Sequence, residues 1–241
     1  MNVLGVIMAR AGSEGLKNKH LLSLLGKPVI SYTFEHARCA RLLGLTVVSS
    51  DSPEILELAK IEGFAVIQRP GRLATAEAAV ADVLVHAMQE AESTLGFSAE
   101  AVVCLYGNVP VRGEGVIDRA IALLQSSGCD SVRSFCPVGK WHPAWMARLD
   151  GEKVLPLQAG SIHRRQDLEP LYLHDGAVVA VSRQSLLRAV DHPEDPHAFF
   201  GLDRRAIQTA PGETVEIDQL MDFFLTEAIL RHAEVGLRMA S

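Results

Sequence analysis

Short apolar runs alternate along the first half of the chain with stretches whose apolar residues recur at helical spacing. The runs at 3–8, 45–49, 65–68 and 101–105 are rich in Val, Ile and Leu and read as strands. Helical patterns fill the intervals near 28–40, 53–62, 76–93 and 115–126. Strands separated by helices in this way predict an α/β fold, a mainly parallel sheet flanked by helices. Ligands of such sheets gather beyond the carboxyl ends of the strands. The loops starting at Met8 and at Tyr106 fall at two of those ends.

Between about Cys136 and Leu173 the alternation gives way to an irregular stretch rich in Pro, Trp, His and Arg. A stretch of this length with two tryptophans reads as a functional loop or a subunit arm. The pattern resumes with an apolar strand at 176–182 and closes with a helix from about 219 to 235. In that helix Met221, Phe224, Leu225, Ala228 and Ile229 recur at helical spacing, and core packing is the expectation for them. One domain over 1–241 with an excursion at about 137–174 is the simplest organisation.

Composition narrows the function classes. A chain of 241 residues can bury one substantial core. No apolar run reaches membrane-spanning length, and the first strand begins without a leader-like segment, so a cytoplasmic protein with no membrane partner is expected. The net charge of −6 argues against a broad nucleic-acid-binding face. Cys39, Cys104, Cys129 and Cys136 have no paired spacing, so neither a disulfide framework nor a zinc site is indicated. The histidines, among them His20, His142, His163 and His174, show no metal-site spacing and are assigned structural or surface roles.

The segment from Met8 to Lys19 carries the most specific chemistry. An apolar strand opens into a loop with Gly12 and Gly15, the hydroxyl of Ser13, and the cations Arg10, Lys17 and Lys19. Glycine lets backbone N–H groups approach phosphate oxygens, and the cations neutralise them, so a nucleotide is the leading ligand. The spacing is neither that of a P-loop nor that of a dinucleotide-binding turn. Taken alone, the two glycines fit a tight surface turn better than a ligand loop; the flanking bases and the preceding strand shift the balance. Near the other end, Glu216 and Asp218 stand two residues apart in an extended segment, on one face, where both can reach a single hard cation. Capping of the last helix is the alternative for Asp218. Joined to the basic loop, the acid pair fits a magnesium-bound nucleoside triphosphate.

The motifs Ala9-Arg10-Ala11-Gly12-Ser13-x-Gly15-Leu16-x-x-Lys19 and Leu25-Gly26-Lys27-Pro28 resemble the opening of the acylneuraminate cytidylyltransferases. The resemblance continues through Ser49-Ser50-Asp51, Arg69-Pro70, His142-Pro143, Arg165-Gln166-Asp167-Leu168, Gly176-Ala177 and Val215-Glu216-Ile217-Asp218, in order along nearly the whole chain. It implies a nucleotide-diphospho-sugar transferase-like fold with a small dimerisation arm at about 137–174. The activity implied is the coupling of CTP to an acidic 2-keto sugar, giving a CMP-sugar and pyrophosphate. Residue by residue, it gives Arg10 and Lys19 catalytic roles on the phosphates. Ala9, Gly12, Ser13, Gly15 and Arg69 would line the nucleotide. Glu216 and Asp218 would hold Mg2+, with Glu216 replacing the more usual Asp.

For the sugar, the resemblance implies Tyr106, Asn108, Gln166, Asp175 and Arg165, the last reaching the pocket of the neighbouring subunit in a homodimer. A solvated loop pair is the alternative for Arg164 and Arg165. The chain departs from the family at Tyr106-Gly107-Asn108-Val109-Pro110, where a Gln-Pro-Thr-Ser-Pro stretch is usual, and at Glu14, His20, Ala79 and Asp175. A divergent branch follows. Another nucleotide or sugar on the same fold, and a non-catalytic nucleotide- or sugar-binding relative, are the competing readings.

Overall fold

The computed structural model describes residues 1–12, 15–158, 160 and 162–240, with side chains as far as His232. In chain order the elements are β1 (Val3–Met8), the short hairpin β2 (Ser23–Leu24) and β3 (Lys27–Pro28), α1 (Val29–Cys39), β4 (Leu45–Ser50), α2 (Pro53–Ile61), β5 (Ala65–Gln68), α3 (Val80–Leu95) and β6 (Ala101–Tyr106). They continue with α4 (Val116–Ser127), β7 (Ser131–Pro137), β8 (Ala147–Asp150), β9 (Lys153–Pro156), β10 (Tyr172–Ser182), α5 (Arg183–Asp191), β11 (Arg204–Gln208) and α6 (Leu220–Ala240). Among the described residues, seven strands form one sheet in the order β11-β7-β10-β6-β1-β4-β5. All neighbours are parallel except β10, which runs antiparallel to both β6 and β7.

β1 and β6 lie at the centre because both their faces are apolar. Alternate residues serve two cores: Val3, Ile7, Val103 and Leu105 pack on one face, and Leu4, Val6, Val102 and Cys104 on the other. Burial on both faces is what turns a continuous apolar run into an interior parallel strand. Helix starts follow local signals; the Ser52 hydroxyl accepts from the Ile55 N–H and Pro53 occupies the first turn of α2. The expected mainly parallel sheet flanked by helices is the one found.

β7, α5 and β11 were not expected from the periodicity. β11 buries only Ile207 among its five residues, so a polar edge strand leaves almost no apolar pattern to read. The stripe on α6 is a correction. Met221, Phe224 and Leu225 are 73%, 54% and 50% exposed rather than buried. The helix packs through the adjacent face, where Thr226 is fully buried and Phe223 and Leu230 lie against Leu24, Val29 and Ile217. The helical period was legible, but apolar residues cover a wide arc of this helix, and which part of it meets the body is set by the fold.

The excursion leaves the sheet at the end of β7 and returns at the start of β10, on the side where β1, β4 and β6 end. Its β8 and β9 pair as a hairpin in which every residue is exposed. Among the described residues no helix is long and apolar enough to cross a membrane.

Candidate active site

The loops at the carboxyl ends of β1, β5 and β6 converge on one cavity. The first loop is held against β4 by the Ala9 N–H on the Ser49 carbonyl, 3.2 Å, and the Ala11 N–H on the Asp51 carboxylate, 2.9 Å. Arg69, at the end of β5, is buried and clamped to Ser49 through its carbonyl at 2.7 Å and its hydroxyl at 3.2 Å. The cavity, about 190 Å³, is walled by Ala9, Arg10, Lys19, Arg69, Tyr106, Asn108 and Glu216, with Val80 and Val83 of α3 alongside. Cations from the start of the chain and an acid from near its end therefore face one space.

The acid segment docks directly on the first loop. The Lys19 Nζ lies 2.6 Å from Asp218 Oδ1. Asn108 Nδ2 donates to Glu216 Oε1 at 3.0 Å and to Asp218 Oδ1 at 3.2 Å, so the two carboxylates share one amide donor. Burial, and then the Asp218 charge, push the Glu216 carboxyl above its usual range. Asp218 does not cap the final helix. Instead, the Asp222 carboxylate accepts from the N–H groups of Asp218 and Gln219, at 3.0 and 2.8 Å, and does the capping in its place. The Asp218 side chain is thereby left to Lys19 and Asn108.

This close docking requires glycine at position 15. A Cβ there would fall 2.4 Å from the Asp218 carbonyl oxygen. Gly12 is exposed and a Cβ there would meet nothing within 4 Å. Ser13 and Glu14 lie outside the described residues. Asp175 is engaged elsewhere: its carboxylate accepts from the hydroxyls of Ser134 and Thr209 and from the Ala177 N–H. Burial raises its pKa, but these donors outweigh burial and hold the carboxyl below the usual range. Arg165 and Gln166 sit in an exposed turn of the excursion and do not line this cavity.

Two residues gain roles that the sequence alone did not give them. His20, expected in a structural or surface role, is buried in the cavity wall, with no hydrogen bond to its Nδ1. Burial, with Lys19 nearby, lowers its pKa to about 4, so it is neutral at pH 7. Arg112 is buried beneath the Tyr106–Pro110 loop and donates to the carbonyls of Ala177, Val109 and Tyr106 at 2.7, 3.3 and 3.3 Å. It ties that loop to β10. His142 is buried too, in the excursion, where its ring bridges the Ala144 N–H and the Glu169 carbonyl.

A larger hollow of about 780 Å³ lies between α1 and α4, and none of the sequence-predicted site residues lines it. Two of its charged groups serve structure: Asp118 accepts from the N–H groups of Arg41 and Leu42, and Arg112 holds the loop just described. The smaller cavity carries the convergent chemistry.

The donor set fits a hard divalent cation. Two carboxylates converge on one amide donor, and the Lys19 ammonium lies against one of them, Asp218. Magnesium characteristically takes one or two carboxylates and completes its shell with water and phosphate oxygens.

Comparison with known proteins places the chain among relatives. The cytidylyltransferase family model matches residues 4–202. The N-acylneuraminate cytidylyltransferase of Streptococcus agalactiae serotype V is 31% identical over 227 residues, covering 92% of this chain and 52% of that one. The CMP-N,N'-diacetyllegionaminic acid synthase of Legionella pneumophila is 26% identical over 95% of this chain and 97% of its own. The chain thus spans about half the length of the streptococcal relative. Among solved structures, CMP:2-keto-3-deoxy-manno-octonic acid synthetase complexed with CTP superposes with a TM-score of 0.74, covering 97% of this chain and 100% of that one at 19% identity, a likeness of fold.

Proposed function

The chain belongs to the cytidylyltransferase family, and from that premise we propose that it joins CTP to an acidic 2-keto sugar, releasing pyrophosphate and a CMP-sugar. The observation that carries this reading is the contact of Asp218 with Lys19, which lines a cavity together with Arg10, Arg69 and Glu216. Relatives named for sialic, pseudaminic and legionaminic acids support the acceptor class.

In the proposed reaction a sugar hydroxyl forms a bond to the α-phosphorus of CTP, its proton is lost, and the bond to pyrophosphate breaks. Arg10 and Lys19 bind the triphosphate and stabilise the charge that spreads over it; Ala9, Gly12, Ser13, Gly15 and Arg69 frame the nucleotide. Glu216 and Asp218 would hold magnesium, which when bound neutralises phosphate charge. Asn108 keeps the two carboxylates together, and Lys19 exchanges Asp218 for phosphate when the nucleotide enters. Tyr106 faces the sugar.

The test is a panel. Purified protein with CTP, magnesium and N-acetylneuraminic, pseudaminic, N,N'-diacetyllegionaminic or 2-keto-3-deoxy-manno-octonic acid should release pyrophosphate with at least one acid. CTP at a hundredfold over its Kd should raise the melting temperature by about 5–10 °C, and UTP, GTP and ATP by much less. Silence with every acid and no preference for CTP would remove the proposal. A clear preference for another nucleotide would move it to that donor.

We further propose a cytoplasmic homodimer built through the excursion, with Arg165 of the partner subunit reaching the sugar pocket. Two-stranded hairpins are marginal in water on their own, and β8 and β9 expose Leu149 and Val154 at 75% and 65%. These two side chains are register partners. The double substitution Leu149→Asp with Val154→Asp is expected to halve the solution mass measured by light scattering. An unchanged dimer mass would place the interface elsewhere, and a wild-type monomer would discard it.

A further inference from the structure

The face of the sheet that carries the cavity extends beyond the cavity itself. Tyr106 ends β6 and packs on the same core as Cys104. Gly176, with φ of +77°, comes next: a Cβ there would lie 3.1 Å from Glu216 Oε2 and 3.9 Å from Tyr106 Cδ2. A side chain at 176 would crowd Glu216 and Tyr106 of the cavity wall. Beyond it stand Arg133 and Phe135 of β7, together with His174, whose ring centroid is 5.7 Å from that of Phe135. Register sets Arg133 beside Val179 and Val179 beside Cys104, so Arg133 belongs to the cavity's face of the sheet, about 10 Å across two strand spacings.

Arg133 is unusual among the charged groups of this face. Its guanidinium carbon lies 4.2 Å from the Phe200 ring centroid and 5.0 Å from that of Phe135. Among the described residues it has no hydrogen bond and no ion pair. Burial and the nearby Arg204 guanidinium hold its pKa below the usual arginine value. Two aromatic rings fix the cation in place by cation–π attraction, and its fork of donors is left for an outside acceptor. The partner that matches such a fork is a carboxylate, taken through two parallel hydrogen bonds.

We propose that Arg133 recognises the carboxylate of the acidic sugar, in a subsite floored by Phe135 and His174 and joined to the nucleotide cavity across Gly176. This rests on the reading that the acceptor is an acidic sugar. It places the specificity for acid over neutral acceptors on a residue of the subunit that binds the nucleotide, with the partner subunit's Arg165 closing over the pocket.

Steady-state kinetics on Arg133→Met, Arg133→Lys and Arg165→Met test it, using the best acid of the four-member panel and its carboxamide. In Arg133→Met the KM for the acid should rise about 10- to 100-fold with the KM for CTP unchanged, and the preference for acid over carboxamide should vanish. Arg133→Lys should recover part of that preference, since a charge remains but the fork is gone. Protection of the melting temperature by CTP reports that each variant is folded. Arg133→Met with an unaltered KM for the acid, or with the acid preference intact, overturns the inference while leaving the cytidylyltransferase reading in place. So does loss of the preference in Arg165→Met alone. A wild-type protein that turns over none of the acids overturns both.

Discussion

Asp218→Ala is expected to lower kcat/KM by about 10³-fold, roughly 4 kcal/mol of transition-state stabilisation, while moving the melting temperature by no more than about 2 °C. The two effects separate because of where the side chain sits. Asp218 is 58% exposed, and its pairing with Lys19 is screened by water, so little folding energy rides on it. Its carboxylate, however, is one of two that share the Asn108 amide beside the cavity, and it neutralises the cation proposed to bind phosphate. Removing it leaves Glu216 as the only carboxylate of the pair.

A direct readout is Mn2+ binding followed by electron paramagnetic resonance, with and without CTP. It should weaken by at least about tenfold in Asp218→Ala, and it does not depend on turnover. Asp218→Asn, which keeps the shape, should be nearly as damaging, because an amide oxygen is a poorer ligand for a hard cation than a carboxylate. Turnover within about threefold of wild type in either variant would remove Asp218 from the reaction.

The second large effect is expected from the smallest change. Gly15→Ala puts a methyl carbon 2.4 Å from the Asp218 carbonyl oxygen, and that neighbour is backbone, which cannot rotate away. Either the first loop or the 216–218 segment must retreat, by about 1 Å, and misplacement on that scale costs about 10²-fold in rate. The variant should therefore lose about 10²-fold in kcat/KM and bind Mn2+ more weakly even without nucleotide. Gly12→Ala is the control, since its added methyl meets nothing within 4 Å. Loss of CTP affinity in Gly12→Ala reports contact between the ligand and the loop; loss in Gly15→Ala reports a displaced acid segment. Equal activity of Gly15→Ala and wild type would show that the close docking of loop and acids is immaterial.

The close approach of Gly15 also explains how much of the site could be read in advance. The composition of the 8–19 loop points to phosphate, because glycines, a hydroxyl and cations at a strand end have few other uses together. The Glu216–Asp218 spacing points to a cation, because alternate residues of an extended segment share a face. Both are local patterns. That they meet is not local: the Lys19–Asp218 contact joins residues 199 positions apart.

His20 shows the limit from the other side. A single histidine beside Lys19 reads as an ordinary loop residue, and nothing in its neighbours announces that the loop turns inward and buries it. Arg133 was equally silent, since a lone arginine in a mixed strand does not reveal whether carboxylates or aromatic rings will surround it. Asp175 lies in a motif that resembles a sugar contact, yet hydroxyls from β7 and the segment after β11 take up its carboxylate. The α6 stripe carried the right period and the wrong face.

By itself, then, the order of apolar and polar residues determined the parallel α/β sheet, the placing of its loops, and the two separate chemistries of a basic glycine loop and a paired acid. These depend on periodicity and on the intrinsic properties of neighbouring side chains, which are written along the chain. Tertiary structure alone decided which of those residues share one cavity, that Asp222 rather than Asp218 caps the last helix, which histidine is buried in the cavity wall and which arginine lies against aromatic rings. Each of these depends on contacts between segments far apart in the chain, where burial and partner choice are set by packing and leave no local trace.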